Sequence, residues 1–340
     1  MALRPGSVEP SPRGGATLTQ VDDGSVYLIG GANREGICFG DVHRFSLESR
    51  EWSRLTLSST TDAFPARSGH SAVALGRCIV VFGGLSPATG EVFNDVHVFD
   101  IHSCKWSRAE IADGEVPMPR NAHAAVLLPA SPAAAAHHRM LVFGGSSPDD
   151  GAFEDAFVLQ IPLGYVTAAG NEDREPLRWE RVDGGRNRDG TICTDMALLD
   201  PHSWQWQLVP ICEWNRCSHV AGLVGGALVS FGGFDGGALR DDIWVYRDDA
   251  ESWERATIVY EPGSVDNNSD THKVEGGPET AILLSLERFG HAGCTVELRA
   301  SAAGASGKVE RRIALLVFGG MNASTDLNDL LMVAQCQRRT

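Results

Sequence analysis

The first candidate for a functional site is a set of histidines that recur along the chain and could bind a metal. Each stands three positions after an arginine, and neutral imidazole is a common ligand for transition metals. Each histidine also begins its own apolar segment in a different part of the chain, so we interpret the four as packing residues. The motifs are Arg67 to His70, Arg120 to His123, Arg216 to His219 and Arg288 to His291.

A glycine-rich stretch, "GGFDGG" at Gly232, is the second candidate, because it resembles a phosphate-binding loop. Such loops hold phosphate at the N-terminus of a following helix. Here apolar segments typical of strands stand on both sides, so we interpret the stretch as a turn. The four tyrosines stand in no recognisable ligand group, and no nucleophile has a base at motif spacing. The sequence therefore predicts no catalytic residue, no metal site and no cofactor.

The segments that hold these residues form a repeat. In five copies an apolar run ends in two glycines, and in a sixth the two glycines stand without the run. An aspartate follows nine to eleven residues later, and in four copies a tryptophan follows eleven residues after that. Each copy has short apolar or alternating segments divided by turn residues, which predicts strands. One such sheet cannot bury its faces alone, so we expect the sheets to stack radially into a β-propeller. Double glycines stand at residues 30–31, 83–84, 144–145, 184–185, 232–233 and 319–320.

This order of double glycine, apolar strand and tryptophan over residues 13–335 resembles the kelch-repeat family. The resemblance implies an all-β, kelch-type β-propeller of six repeats. Within the family, "GSVYLIGGANREGICFGDVHRFSLESREW" and "IALLVFGGMNASTDLNDL" are similar to the kelch-motif effectors of late-endosomal Rab GTPases. The predicted blades are 13–57, 67–111, 120–182, a partial blade 183–210, 216–258 and 288–335, between an N-terminal segment 1–12 that we expect to close the ring and a tail 336–340.

The fourth repeat is incomplete. Only "ERVD" separates Trp179 from Gly184, whereas Trp52 to Gly83 spans 31 positions. About two strands are missing, namely the strand with the Arg-x-x-His motif and the strand that ends in glycines. Because a half blade leaves unpaired strand edges, an omitted coding segment is the favoured interpretation, and a true half blade is the alternative.

Some kelch relatives that redirect plant glucosinolate breakdown resemble iron proteins, with a glutamate, an aspartate four residues later and a histidine eight residues after the glutamate. Glu91 and Asp95 fit the first two positions, but Phe99 stands at the third. The resemblance therefore implies no iron site in this chain.

Composition excludes several classes of protein. The formal charge of −15 and a pI near 5.1 argue against general binding to nucleic acids or anionic membranes. No apolar stretch approaches the length of a membrane span, and the N-terminus has no apolar signal core. The eight cysteines contain no Cys-x-x-Cys pair, so we expect reduced thiols. We expect a cytoplasmic protein that a partner can hold at endosomal membranes.

The remaining candidate site is a surface built by loops. Strands in a blade alternate in direction, so the turn after each double glycine emerges on the same face of every blade, and loops on a rigid scaffold commonly carry binding residues. We call this surface the loop face: Asn33, Arg34, Glu35, Glu91, Asp149, Asp150, Asp235, Arg240 and Asn322. On the opposite face, the insertion Glu297–Arg312 is an alternative binding region.

The arginines of the Arg-x-x-His motifs enter the sheets from the side of the loop face. We expect them either at the mouth of the central pore or in hydrogen bonds between blades. These pore-mouth candidates are Arg67, Arg120, Arg216 and Arg288.

The sequence predicts a non-enzymatic scaffold for protein interactions. The resemblance to Rab effectors implies a GTP-bound Rab GTPase as the partner and a role in endosome-to-Golgi vesicle transport. Two alternatives stay open at this point. One is a substrate-recognition or regulatory kelch subunit, and the other is a small-molecule enzyme of unknown chemistry.

Overall fold

The computed structural model describes residues 7–58, 63–130, 136–165, 174–182, 196–209, 216–247, 252–256, 286–300 and 310–334. All regular secondary structure in these ranges is β-strand. No helix in the described ranges is long and apolar enough to cross a membrane. The prediction of an all-β chain is confirmed.

The first two repeats each form an antiparallel sheet of four strands in chain order. Their strands are rich in valine, isoleucine and phenylalanine, residues that pack well on a pleated surface. Blade one consists of β1 (Thr17–Val21), β2 (Ser25–Ile29), β3 (Val42–Ser46) and β4 (Glu51–Arg54). Blade two consists of β5 (Ser71–Leu75), β6 (Cys78–Leu85), β7 (Val92–Asp100) and β8 (Lys105–Arg108).

The third repeat is a four-stranded sheet with a small hairpin in one loop, and the fourth repeat is a two-stranded sheet. Blade three consists of β9 (Ala124–Leu127), β10 (His137–Phe143), β13 (Ala156–Pro162) and β14 (Arg178–Val182), and the small hairpin is β11 (Ser146–Ser147) with β12 (Gly151–Ala152). Repeat four contributes β15 (Met196–Asp200) and β16 (Gln205–Val209).

The fifth and sixth repeats form a four-stranded and a three-stranded sheet. Blade five consists of β17 (Val220–Val224), β18 (Ala227–Phe231), β19 (Ile243–Arg247) and β20 (Ser252–Ala256). Blade six consists of β21 (Ala292–Ala300), β22 (Glu310–Met321) and β23 (Asp326–Ala334). The propeller therefore has five blades of three or four strands, and in place of a complete fourth blade it has the hairpin of β15 and β16.

The hydrophobic core lies between neighbouring blades. A tryptophan on the fourth strand of one blade packs against a phenylalanine on the second strand of the preceding blade. The ring centroids of Trp179 and Phe82 are 4.8 Å apart, and those of Trp52 and Phe318 are 5.4 Å apart. The second of these contacts joins blade one to blade six, so the first and last repeats pack against each other.

Backbone hydrogen bonds connect the blades just ahead of their inner strands. The amide of Gly69 donates to Gly15 O at 2.7 Å, and the amide of Ala122 donates to Gly69 O at 2.7 Å. Gly15 in turn donates to Gly290 O, and Gly290 donates to Ser218 O. We call these five residues the mouth ring. All five have a positive φ, which glycine adopts freely and which strains Ala122 and Ser218.

The described part of the N-terminal segment lies along blade one. The Val8 amide donates to Trp52 O at 3.1 Å, and the Trp52 amide donates to Ser7 Oγ at 2.7 Å. Asn328 of blade six also donates to Pro10 O at 3.4 Å. Residues 7–12 form no strand, and the closure of the ring by this segment stays a prediction.

The hairpin of repeat four packs against blade three. The ring centroids of Trp206 and Phe143 are 5.2 Å apart, and Leu199 and Trp204 contact a buried cluster of blade three. Within the described residues, β15 pairs only with β16. The double glycine at residues 184–185 lies outside the described residues. The hairpin therefore supplies the third and fourth strands of a blade, as the incomplete repeat predicts.

Candidate interaction surface

The loops of the loop face begin at the double glycines. Gly83 has a φ of 64°, and a Cβ at this position would lie 2.7 Å from Arg120 O and 2.8 Å from His123 Cε1. Glycine is therefore required for two reasons, because the backbone is left-handed and because the next blade approaches closely. The neighbouring blade therefore fixes the start of this loop.

A buried arginine joins the two ends of each loop. In blade two, Arg67 Nη1 donates to Gly83 O at 2.9 Å and to Asp95 Oδ1 at 2.6 Å, and its Nη2 donates to Asp95 Oδ2 at 3.2 Å. Charge-assisted pairs of this kind are strong and fix the orientation of both partners. We call this contact the Arg–Asp bridge. Equivalent bridges join Arg13 to Asp41, Arg120 to Asp155, Arg216 to Asp242 and Arg288 to Asp329.

The bridges lower the pKa of the carboxyl groups of Asp95 and Asp242. Burial alone would raise the pKa of Asp95, but the hydrogen bonds and the charge of Arg67 outweigh it, so the pKa lies below its ordinary value. The pKa of Asp242 is also lowered, because hydrogen bonds from Arg216 and Trp244 outweigh the effect of burial. The negative charges of Asp95 and Asp242 are therefore present at neutral pH.

The prediction that these arginines line the pore mouth is wrong. The exposed fraction is 0% for Arg67, Arg120 and Arg288 and 7% for Arg216, because each guanidinium is directed into its own blade. The alternative role, hydrogen bonding between blades, is performed by the carbonyl groups of Arg67, Arg120 and Arg288. Arg67 O, for example, accepts from the Gly31 amide of the preceding blade at 2.8 Å.

Arg13 belongs to the same set, although sequence reasoning omitted it because no histidine follows it three positions later. Its bridge to Asp41 spans 28 residues, as does the bridge from Arg67 to Asp95. This equal spacing is the signal that would have identified both partners.

The recurring histidines pack between blades. His123 Nε2 lies 2.8 Å from Ser71 Oγ, and His70 Nε2 lies 2.9 Å from Thr17 Oγ1, in each case on the preceding blade. Burial and the neighbouring arginine lower the pKa of both His70 and His123 to about 3, so both are neutral at neutral pH. No group of three or more histidine, cysteine, aspartate or glutamate residues in the described ranges is placed to hold a metal ion.

Three members of the loop face shape their own loops. Asn33 Oδ1 accepts from the Ile37 amide at 2.9 Å. Asp235 Oδ1 and Asn322 Oδ1 each accept from two amides two and three residues further along the chain. Side chains of this type stabilise turns, so these residues set the loop conformation.

Both cations of the loop face are already ion-paired. Arg34 Nε lies 3.4 Å from Asp326 Oδ1 of blade six, and its guanidinium also donates to Asn322 O. Arg240 pairs with Asp235 in its own loop. The structure thus brings Arg34 and Asn322 together. Sequence reasoning missed Asp326, because a contact between the first and last repeats leaves no local signal.

The accessible charge of the loop face is negative. Glu35, Glu91, Asp149 and Asp150 are exposed, and they lie on the loops of blades one, two and three. Ser147 donates to Asp150 Oδ2 at 2.8 Å and holds that carboxylate in place. This part of the surface is suited to a partner with positive charge.

Models of known families match two parts of the chain. The KLHDC2/KLHL20/DRC7 kelch-repeats domain matches residues 3–162, and the kelch motif matches residues 215–259. The matched ranges contain blades one, two and five, and most of blade three.

Several known proteins are similar in sequence. Kelch domain-containing protein 3 of Rattus norvegicus is 28% identical over 251 residues, which are 73% of this chain and 55% of that protein. Serine/threonine-protein phosphatase BSL2 of Arabidopsis thaliana is 26% identical over an alignment of 349 positions, which covers 94% of this chain and 31% of that protein. Acyl-CoA-binding domain-containing protein 4 of Arabidopsis thaliana is 29% identical over 172 residues, which cover 50% of this chain and 24% of that protein.

The chain spans between 24% and 55% of the length of these relatives. Their similarity therefore concerns the repeats and does not extend to their other parts. Both the matching models and the blades seen in the structure lead to the same conclusion. The chain folds as a β-propeller of the kelch type.

Proposed function

We propose that the protein is a non-enzymatic scaffold that binds protein partners through the loop face. The observation that carries this proposal is the Arg–Asp bridge, which recurs in all five blades. Each bridge holds the two ends of a loop together, so the loops present their side chains in fixed positions. A preorganised surface loses less entropy when a partner binds.

The finer part of the proposal is a GTP-bound Rab GTPase as the partner, with a role in endosome-to-Golgi vesicle transport. It is supported by the resemblance of residues 24–52 and 313–330 to kelch-motif Rab effectors. A protein with this role is expected in the cytoplasm and, through its partner, on endosomal membranes. From the exposed carboxylates we further infer that the partner contributes a basic contact surface.

The test is binding of a purified late-endosomal Rab GTPase, loaded with GDP or with a non-hydrolysable GTP analogue, to the immobilised chain. We expect the GTP form to bind more tightly. Charge reversal by Glu35→Lys, Glu91→Lys and Asp149→Lys should weaken binding, most strongly at low salt, where charges act over longer distances. Glu48→Lys is the matched control, because this exposed residue lies in the turn between β3 and β4 on the opposite face.

Two results would contradict these proposals separately. Equal binding of both nucleotide forms would exclude the Rab proposal and leave the scaffold untouched. Binding that Glu48→Lys weakens as much as Glu35→Lys does would move the interface away from the loop face. In that case, deletion of residues 300–308 would test the insertion, most of which lies outside the described residues.

A further inference from the structure

Blades three and five expose apolar side chains on the faces that point toward repeat four. Val73 on the inner strand of blade two packs against blade three and is 7% exposed. Val126, which also stands three positions after the motif histidine, is 53% exposed on the inner strand of blade three. The difference shows that no following blade covers the face of blade three within the described residues.

The facing wall on blade five is exposed in the same way. Val220 and Val224 of β17 pack against blade six. Leu223 is adjacent to Val224 and so points to the opposite face of the sheet, where it is 62% exposed. Two apolar walls therefore border the inner half of repeat four.

Gly144, the first glycine of blade three, indicates which sequence motif fits between the two walls. A Cβ on Gly83 would lie within 3 Å of the carbonyl oxygen and histidine ring of the next blade, and Gly232 has the same two neighbours within 3.0 Å. Gly144 has a similar φ, 65°, but a Cβ on it would meet only Phe153 O at 3.4 Å. The backbone of Gly144 is thus in the conformation that elsewhere accommodates an Arg-x-x-His motif.

The hydrogen bonds between blades are interrupted at the same place. Gly84 donates to Arg120 O and Gly233 donates to Arg288 O, whereas Gly145 has no equivalent bond among the described residues. The mouth ring likewise runs from Ser218 to Ala122 and does not join these two residues to each other. One residue of an added motif, placed between Ala122 O and the Ser218 amide, would complete the ring.

Strand β15 supplies an edge for an added strand. In blades one, two, three and five, the third strand pairs on one side with the fourth and on the other side with the second. β15 corresponds to a third strand and pairs only with β16 within the described residues. Leu198 on β15 is 44% exposed. The partner that β15 is shaped to receive is therefore a second strand that ends in glycines.

We propose that this seat, formed by Val126, Gly144, Gly145, Leu198 and Leu223, binds a two-stranded β-hairpin of another polypeptide whose first strand begins with Arg-x-x-His. The arginine carbonyl accepts from the Gly145 amide, and the histidine ring packs on Gly144. The apolar residues of the first strand cover Val126 and Leu223, and the second strand pairs with β15. Addition of a strand to a sheet edge is a common mode of peptide recognition.

The test uses a labelled peptide with the sequence of residues 67–84 of this chain, carrying Cys78→Ser, because this stretch holds the motif and both inner strands of blade two. We expect saturable binding to the full chain by fluorescence anisotropy. Val126→Glu and Leu223→Glu should each weaken it about tenfold or more, since a buried carboxylate in an apolar contact is costly. Ile37→Glu is the matched control, because Ile37 is 50% exposed on a loop of blade one.

A second peptide, with His70→Ala, should bind more weakly because it cannot cover Gly144, and a scrambled peptide should not bind. Absence of saturable binding by the parent peptide would overturn the proposal. Binding that is unchanged by both Val126→Glu and Leu223→Glu would do the same. A chain that dimerises alone, and whose dimer Val126→Glu dissociates, would show that a second copy occupies the seat and would overturn the hairpin as its occupant.

Discussion

Arg67 illustrates how one side chain determines the geometry of a loop. Its guanidinium contacts Gly83 O near the end of β6 and the carboxylate of Asp95 in the first half of β7, so it joins the two strands on either side of the loop. The side chain is fully buried. A buried charge is tolerated only when its hydrogen bonds are satisfied, so the arginine, the glycine and the aspartate form one unit.

The first prediction concerns the removal of this side chain. Arg67→Ala should lower the free energy of unfolding by about 3 to 5 kcal/mol, because it leaves the carboxylate of Asp95 unpaired. Arg67→Lys should lower the free energy of unfolding by less, because lysine keeps the positive charge and loses only the two-pronged pairing with the Asp95 carboxylate. Chemical denaturation measures both. Arg54→Ala is the control, because this arginine is 65% exposed and lies 3.8 Å from Asp41. A stable Arg67→Ala variant would contradict the role of the bridge.

The second prediction concerns the stability of the fold at acidic pH. The folded pKa values of His70, His123 and His291 are about 3, below the ordinary 6.5. The unfolded chain therefore binds protons that the folded chain does not, so stability is complete above about pH 6.5 and falls as the pH decreases toward 3. Asp95 and Asp242, whose pKa values are lowered, extend the loss of stability below about pH 4.

The measurement is the slope of unfolding free energy against pH between pH 4 and 6. His123→Gln should reduce this slope by up to about 1.4 kcal/mol per pH unit, because one fewer group takes up a proton on unfolding. Equal slopes in the two proteins would show that His123 is already protonated in the folded state.

At the scale of elements, the double glycine is the junction between a strand, its loop and the next blade. The third prediction compares three glycines with similar backbone. Gly83→Ala combines a positive φ with contacts under 3 Å and should cost about 3 kcal/mol or more. Gly144→Ala should lower the free energy of unfolding by only about 1 to 2 kcal/mol, which is the strain of a left-handed backbone at alanine. Gly76, with a φ of 56° and no neighbour within 4 Å, is the control. A Gly144→Ala variant as unstable as Gly83→Ala would show that another segment packs there.

Sequence periodicity was sufficient to predict strands and blades, because double glycine, aspartate and tryptophan recur at nearly fixed offsets. The same alignment explains the left-handed backbone of Ala122 and Ser218, which stand at the third motif position where Gly69 has its positive φ. The ion pair of Arg34 with Asp326 could not be predicted, since 292 residues separate the two and only the closed arrangement of repeats brings them together.

At the scale of the whole molecule, the ring has one tight junction between its ends and one open junction. Three contacts join blade one to blade six. The ring of Trp52 packs against Phe318, the Gly320 amide donates a hydrogen bond to Arg13 O, and Arg34 forms an ion pair with Asp326. The other junction lies at repeat four, where Val126 and Leu223 are exposed. The two ends of the chain meet at the junction of blades one and six. Chain connectivity alone would therefore predict the open junction there and not at repeat four.

The last prediction is that a complete fourth blade stabilises the protein. A copy of residues 55–82 inserted between Asp183 and Gly184 restores the linker, the Arg-x-x-His motif and both inner strands ahead of an existing double glycine. We expect a higher Tm, by roughly 2 to 4 °C for each kcal/mol gained, because the insert covers the exposed apolar walls and pairs with the edge of β15. Calorimetry measures the gain, and a scrambled insert of equal length is the control. The completed chain should also lose its affinity for the hairpin peptide. A Tm no higher than that of the scrambled insert would show that the walls beside repeat four are not shaped for these strands.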